Sequence, residues 1–170
     1  MPLNNFNKVL TWADFREVPV PPPTSGPTRE QASIGVSWTM DYEAGMSRGV
    51  VRVSSMTVEV VMPDETMNTV VAGAQSDPLK THEQGHYDII ALGAREFYNR
   101  ARRLTAPTDT ELTTAINDLH DAVWQKATDV DERYDIRTNH HINQVVQVQW
   151  TTAIVTAKAS PSGTVDDLPT

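Results

Sequence analysis

The sequence predicts an α+β protein in which a small N-terminal antiparallel sheet packs on a long helix and two further helices. Up to about residue 76 apolar and polar side chains alternate with a period of two, whereas after Pro78 apolar side chains recur every three or four positions. The 170 residues suffice for one hydrophobic core without cysteine cross-links. We therefore expect a single domain over residues 1–156 and a flexible C-terminal tail over residues 157–170.

Two segments predict the main strands. In ASIGVSWTMDY, residues 32–42, larger apolar side chains alternate with small or polar ones, and GVVRVSSMTVEVVMP, residues 49–63, has the same period. The polar, glycine-containing EAGMSRG at 43–49 separates them. This pattern is typical of an antiparallel hairpin.

Two N-terminal segments are less regular. KVLTWADF, residues 8–15, is a candidate for one more short strand. VPVPPPTSGP, residues 18–27, predicts a proline-rich loop, because proline cannot donate to a central strand.

The second and third helices are indicated by their starts and their apolar spacing. Thr108 and Glu111 have the spacing of a capping box ahead of a buried stripe, so a helix is predicted to begin there. HINQVVQVQWTTAIVTAK, residues 141–158, predicts the third helix, with Thr138 or Asn139 as its N-cap.

The first helix carries a motif with a chemical meaning. Its apolar stripe includes His82 and His86, which flank Glu83 in the pattern His-Glu-x-x-His. Histidines four apart lie on one helical face, where both imidazoles reach one metal ion. Gly85 costs about 1 kcal/mol relative to alanine inside a helix, which indicates a packing or functional reason. We therefore predict a metal site; the alternative is two core histidines satisfied by hydrogen bonds.

The residues alone leave the third ligand open. A catalytic zinc takes three protein ligands and keeps one open position. No histidine follows His86 at the spacing of metzincins. Glu111 is explained by its cap, and Glu96 lies about 15 Å of helix rise beyond the motif. The remaining candidates are His120, His140 and His141.

Composition excludes several functions. The net charge of −8 argues against a nucleic-acid partner, and the absence of cysteine excludes thiol catalysis and thiolate zinc sites. No apolar run is long enough for membrane insertion. We expect a soluble protein, secreted or periplasmic if a signal peptide has been removed and cytoplasmic otherwise. The oligomeric state is left open.

Three blocks of this sequence resemble those of a bacterial family, domain of unknown function 922. The blocks are LTWADF at 10–15, HEQGHYDI at 82–89 and YDIRTNHHINQVVQVQW at 134–150, in the order in which the family has them. Because three blocks match jointly, the resemblance is far more specific than the short histidine motif. The family is one of predicted zinc-dependent proteases, so the resemblance implies a zincin-like fold and protease activity.

The resemblance implies specific roles in a zinc metallopeptidase. His82 and His86 become zinc ligands, Glu83 the general base and His140 the third ligand. The family's glycine after that histidine is His141 in this chain. A glycine gives the backbone a freedom that histidine lacks, so His141 is the alternate ligand.

The expected reaction is peptide hydrolysis on an extended peptide or protein that pairs with an edge strand. Glu83 takes a proton from a zinc-activated water and passes it to the leaving amine. Tyr134 is predicted to hydrogen-bond the oxyanion, the alternative being a core tyrosine with a satisfied hydroxyl. Asp135 or Asp88 is expected to orient a ligand imidazole. The alternative function is a non-catalytic, zinc-containing binding module of the same fold.

Overall fold

A computed structural model describes residues 3–20 and 31–170. None of the helices in these ranges is long and apolar enough to cross a bilayer. The predicted α+β class is confirmed. In these ranges the strands are β1 (Leu3–Asn4), β2 (Arg16–Val18), β3 (Ala32–Ser33), β4 (Ser37–Ser47), β5 (Val50–Val61), β6 (Thr69–Val71) and β7 (Thr105–Ala106), and the helices are α1 (Asp77–Ala101), α2 (Asp109–Thr138) and α3 (Gln144–Ala159).

The predicted hairpin is confirmed as β4 and β5, which pair antiparallel along their full length. Arg48 and Gly49 form its two-residue turn with φ of 54° and 81°. Positive φ at both turn residues matches the twist of the flanking strands. Val58 and Val60 point from β5 into the core and are 0% and 1% exposed.

The remaining strands differ from the single antiparallel sheet that the sequence predicts. The described part of the chain forms two sheets: β1 pairs parallel with β5, whereas β2 pairs parallel and β3 antiparallel with β6. KVLTWADF is not a strand, because its centre forms a 3-10 turn over Trp12–Asp14. The Asp14 carboxylate accepts from the backbone N–H of Thr11 at 2.8 Å, which favours a turn over extended pairing. Most of the proline-rich segment lies outside the described residues.

Serine and threonine caps begin the first two helices. The Ser76 side chain accepts from the Leu79 N–H at the start of α1, and Thr108 accepts from the Glu111 N–H at the start of α2. The predicted start of α2 is confirmed. α1 packs against β5 on one side and against α2 and α3 on the other, so most of its length is buried. This central position holds the histidine motif in the interior.

The predicted cap of the third helix is wrong. Asn143 caps α3, and its side chain accepts from the Val146 N–H. Thr138 is the last residue of α2, and Asn139 is its C-cap with φ of 50°. Asparagine tolerates this left-handed conformation, so it ends α2 and does not begin α3.

The C-terminal segment is packed, in contrast to the flexible tail expected for residues 157–170. Val165 and Leu168 are only 1% and 5% exposed. The Arg95 guanidinium donates at 2.7 Å to the Ala157 carbonyl, one of the last carbonyls of α3. Carbonyls at the C-terminal end of a helix lack hydrogen-bond partners within the helix. A buried arginine from α1 supplies such a partner and holds this end of α3 against α1.

Candidate metal centre

Two antiparallel helices place four polar side chains opposite one another. His82 and His86 lie four residues apart on α1, and Asp131 and Asp135 lie four apart on α2. His82 Nε2 is 3.0 Å from Asp135 Oδ1, and His86 Nδ1 is 2.7 Å from Asp131 Oδ1. Each imidazole on α1 therefore faces a carboxylate on α2. The two histidine–aspartate pairs lie one helical turn apart.

Three of these side chains form what we call the donor cluster: His82, His86 and Asp135. The two Nε2 atoms are 3.1 Å apart, and Asp135 Oδ1 lies 3.0 Å from that of His82 and 3.2 Å from that of His86. Ligand atoms of a tetrahedral zinc, at about 2.0–2.1 Å from the metal, are separated by about 3.3 Å. Within the described residues, the donor cluster therefore fits a metal ion.

Charge and burial act in opposite directions in the donor cluster. Burial lowers the pKa of His82, whereas for His86 the carboxylates of Asp131 and Asp135 outweigh burial and raise the pKa well above its ordinary value. Burial disfavours the Asp135 carboxylate, but hydrogen bonds with His82 and His86 hold its pKa far below its usual range. The arrangement therefore stabilises a cation between the three side chains, either a proton or a metal ion.

Glu83 follows His82 on α1 and is only 2% exposed. Burial lowers the pKa of His86, and the two aspartates raise it. The negative charge of Glu83 raises it further by a smaller amount. The carboxylate thus lies in the electrostatic neighbourhood of the donor cluster. Its role as a general base stays a prediction.

His140 and His141 lie in the turn between α2 and α3, and not in a first helical turn capped by Thr138 or Asn139 as the sequence predicts. Their φ angles are 49° and 71°. His140 Nδ1 is 3.2 Å from Asp135 Oδ1 but makes no hydrogen bond, and its side chain is 39% exposed. The structure thus places Asp135 between His140 and the motif histidines. Ligation by His140 stays a prediction, with Asp135 as its competitor.

The left-handed turn makes a testable prediction about stability. A non-glycine residue in this conformation costs about 1–2 kcal/mol, so His141→Gly is expected to stabilise the fold by about 1 kcal/mol. Its melting temperature should rise by about 2–4 °C in thermal unfolding followed by circular dichroism. The control is Ile142→Gly at the next position, where φ is not positive and glycine should destabilise. A lower melting temperature for His141→Gly would show that the turn carries no such strain.

Tyr134 occupies a position that does not suit an oxyanion donor. The residue is 0% exposed, and its hydroxyl donates to the His82 carbonyl oxygen at 3.1 Å. A Cβ at Gly85 would overlap that hydroxyl, so the glycine in the motif is what permits the close approach. The geometry favours the alternative, a core tyrosine with a satisfied hydroxyl.

The other candidates from the sequence lie outside the donor cluster, and their contacts account for them. Half of the capping box expected for Thr108 and Glu111 is present: the Thr108 hydroxyl accepts from the Glu111 N–H, whereas the Glu111 carboxylate accepts from the Thr108 hydroxyl and not from its backbone N–H. Each candidate has a charged or hydroxyl partner: Lys126 and Arg100 for Glu96, both at 2.9 Å, Lys158 for Asp88 at 2.5 Å, Thr108 for Glu111 at 2.8 Å and Asp121 for His120 at 3.1 Å.

The sequence reasoning missed Asp131 and gave Asp135 only an orienting role. A signal was present: the two aspartates repeat on α2 the four-residue spacing that His82 and His86 have on α1. Spacing alone does not say which helix faces the motif. The antiparallel packing of α1 on α2 supplies that information.

The family model described as "Bacterial protein of unknown function (DUF922)" matches residues 16–141. No curated protein and no solved structure matches the chain. The family match includes the histidine motif, Tyr134 and Asp135, together with both histidines of the turn. Since it covers more than half of the sequence, the chain belongs to the bacterial family of domain of unknown function 922.

Proposed function

We propose that this protein is a zinc-dependent metallopeptidase with a zincin-like fold. The observation that supports the proposal most is that three donor atoms lie 3.0–3.2 Å from one another, two of them on α1 and one on α2. The same helix α1 carries Glu83. His82, His86 and Asp135 would hold the metal, and Glu83 would act as the general base.

The donor set favours zinc. Two imidazole nitrogens and one carboxylate oxygen form a ligand set known from catalytic zinc sites, which keep a further position open. When bound, zinc lowers the pKa of a coordinated water to about 7 and polarises a substrate carbonyl.

The chain's own residues would perform the remaining steps. The Asp131 carboxylate accepts from the Nδ1–H of His86, which leaves Nε2 of a neutral imidazole free to bind. Glu83 would accept a proton from the attacking water and return it to the leaving amine. An extended peptide is the proposed substrate, paired with an edge strand such as β4.

The test separates the base from the ligands. In Glu83→Gln, zinc affinity should stay close to that of wild type, while casein hydrolysis by the zinc-loaded protein should fall at least about a hundredfold. The matched control is Glu96→Gln, a second buried glutamate of α1 that lies outside the donor cluster, which should keep its activity.

Two outcomes would contradict the proposal. Full hydrolysis by Glu83→Gln would mean that another group activates the water. If wild type binds zinc but cleaves neither casein nor a peptide library, the protein is a non-catalytic zinc-binding module.

A further inference from the structure

His82 has a second ring nitrogen, Nδ1, which faces away from the donor cluster. It lies 3.1 Å from Oε1 of Gln147, a residue that is 2% exposed. The Thr138 hydroxyl is also near, at 3.5 Å. An amide and a hydroxyl can each donate or accept, so the tautomer of His82 depends on how these two groups are themselves oriented.

The Tyr134 hydroxyl determines the orientation of the Gln147 amide. A hydroxyl has one hydrogen, and that of Tyr134 is donated to the His82 carbonyl, which can only accept. The contact of 2.6 Å between Gln147 and Tyr134 must therefore be a donation from the amide Nε2 to the phenol oxygen. Since Nε2 faces Tyr134, Oε1 faces His82.

Thr138 gives the same result independently. Its hydroxyl donates to the Tyr134 carbonyl oxygen at 2.7 Å, so towards His82 it can only accept. Two acceptors thus face Nδ1 of His82. At Nε2 the competing acceptor is Asp135 Oδ1 at 3.0 Å, but that oxygen also lies 3.2 Å from Nε2 of His86, which can donate to it. With two acceptors at Nδ1 and one shared acceptor at Nε2, we expect the hydrogen of the neutral imidazole on Nδ1, so that Nε2 carries the lone pair that points into the donor cluster.

Gly85 makes this arrangement possible. The Tyr134 ring stacks on the His82 ring with centroids 4.9 Å apart, and its hydroxyl occupies the space that a side chain at position 85 would need. Glycine inside a helix has an intrinsic cost, which the close approach of Tyr134 explains.

We propose that Gly85, Tyr134 and Gln147 are positioning residues that fix the ring orientation and the tautomer of His82. The tautomer is inferred from the hydrogen bonds at Nδ1, with the Asp135 carboxylate as the competing acceptor at Nε2, whereas its use in holding zinc rests on the proposed function. A neutral imidazole locked with its hydrogen on Nδ1 presents Nε2 to a metal without any rearrangement.

The primary test is nitrogen-15 NMR of the histidine rings in the metal-free protein at about pH 8, where a histidine of ordinary pKa is neutral. Wild-type His82 should carry its hydrogen on Nδ1, although the Asp135 carboxylate lies 3.0 Å from Nε2. Gln147→Met removes the nearer of the two acceptors at Nδ1 and leaves only the Thr138 hydroxyl at 3.5 Å, so the hydrogen should shift towards Nε2, where Asp135 accepts. Gln147→Glu keeps an acceptor and should keep the wild-type tautomer.

Zinc affinity gives a second readout. Gln147→Met should bind zinc about 10–100-fold more weakly than wild type, and Gln147→Glu within about tenfold of it. If Gln147 had only a structural role, Gln147→Met would leave the His82 hydrogen on Nδ1. Tyr134→Phe is a further variant that removes the phenol oxygen that accepts from the Gln147 amide, and it should give a mixture of tautomers.

The proposal is overturned if metal-free His82 carries its hydrogen on Nε2, or if Gln147→Met and Tyr134→Phe leave the tautomer unchanged. These outcomes are distinct from a failure of the proposed function. If the tautomer responds as expected but the protein does not bind zinc, the positioning role stands and the metallopeptidase proposal falls.

Discussion

Asp135→Ala is expected to weaken zinc binding more than about a hundredfold, beyond the 10–100-fold loss typical of a residue that only orients a ligand. The reason is geometric: Asp135 Oδ1 lies 3.0 Å and 3.2 Å from the Nε2 atoms of His82 and His86. His140→Ala should lower zinc affinity by at most about tenfold, because the His140 imidazole contacts Asp135 in space but does not belong to the donor cluster. The measurement is a zinc titration of each variant against a competing chelator.

Two control variants on α2 make this comparison specific. Asp131→Ala removes the acceptor on His86 Nδ1 and should give an intermediate loss of about 10–100-fold. Asp129→Ala removes an exposed carboxylate that contacts Gln125, and it should leave zinc affinity unchanged. A larger loss in His140→Ala than in Asp135→Ala would return the third ligand to histidine, as the family resemblance implies.

Gly85→Ala is expected to destabilise the protein by about 1–3 kcal/mol, the usual cost of overfilling a packed core. The added Cβ overlaps the buried Tyr134 side chain, which outweighs the gain of about 1 kcal/mol in helix propensity. Thermal unfolding should show a melting temperature lowered by about 2–4 °C for each kcal/mol.

A double variant serves as the control for the cause of this loss. Gly85→Ala combined with Tyr134→Phe removes the hydroxyl that approaches most closely, so part of the stability should return. The recovery should be incomplete, because two ring carbons of Tyr134 also lie 2.5 Å and 2.9 Å from the added Cβ. If Gly85→Ala is as stable as wild type, the close approach of Tyr134 does not explain why position 85 is glycine.

Features set by local sequence were predictable. Residues within one or two helical turns determine the stripe of α1, the Thr108 cap of α2 and the shared face of His82 and His86. The spacing of the motif on one helix is therefore enough to identify two of the three residues of the donor cluster.

Features set by distant contacts were not predictable. Asp135 joins the donor cluster only because α2 packs antiparallel on α1, and no pattern in the sequence specifies that register. β1 and β2 are two and three residues long, too short for a period of two to be recognised.

The turn after α2 was misread for a different reason. Left-handed conformations are usually marked by glycine or asparagine, but only Asn139 carries such a signal, whereas His140 and His141 adopt the same conformation without it. The sequence therefore predicted a helix start where the chain turns.

The proposed function requires that His82, His86 and Asp135 hold one metal ion. The most direct measurement is a zinc titration of metal-free wild-type protein against a competing chelator, with His82→Ala titrated in parallel. We expect one tightly bound zinc per chain in wild type and none in His82→Ala. A folded wild-type protein that binds no zinc, or a His82→Ala variant that binds it as tightly as wild type, would contradict the claim.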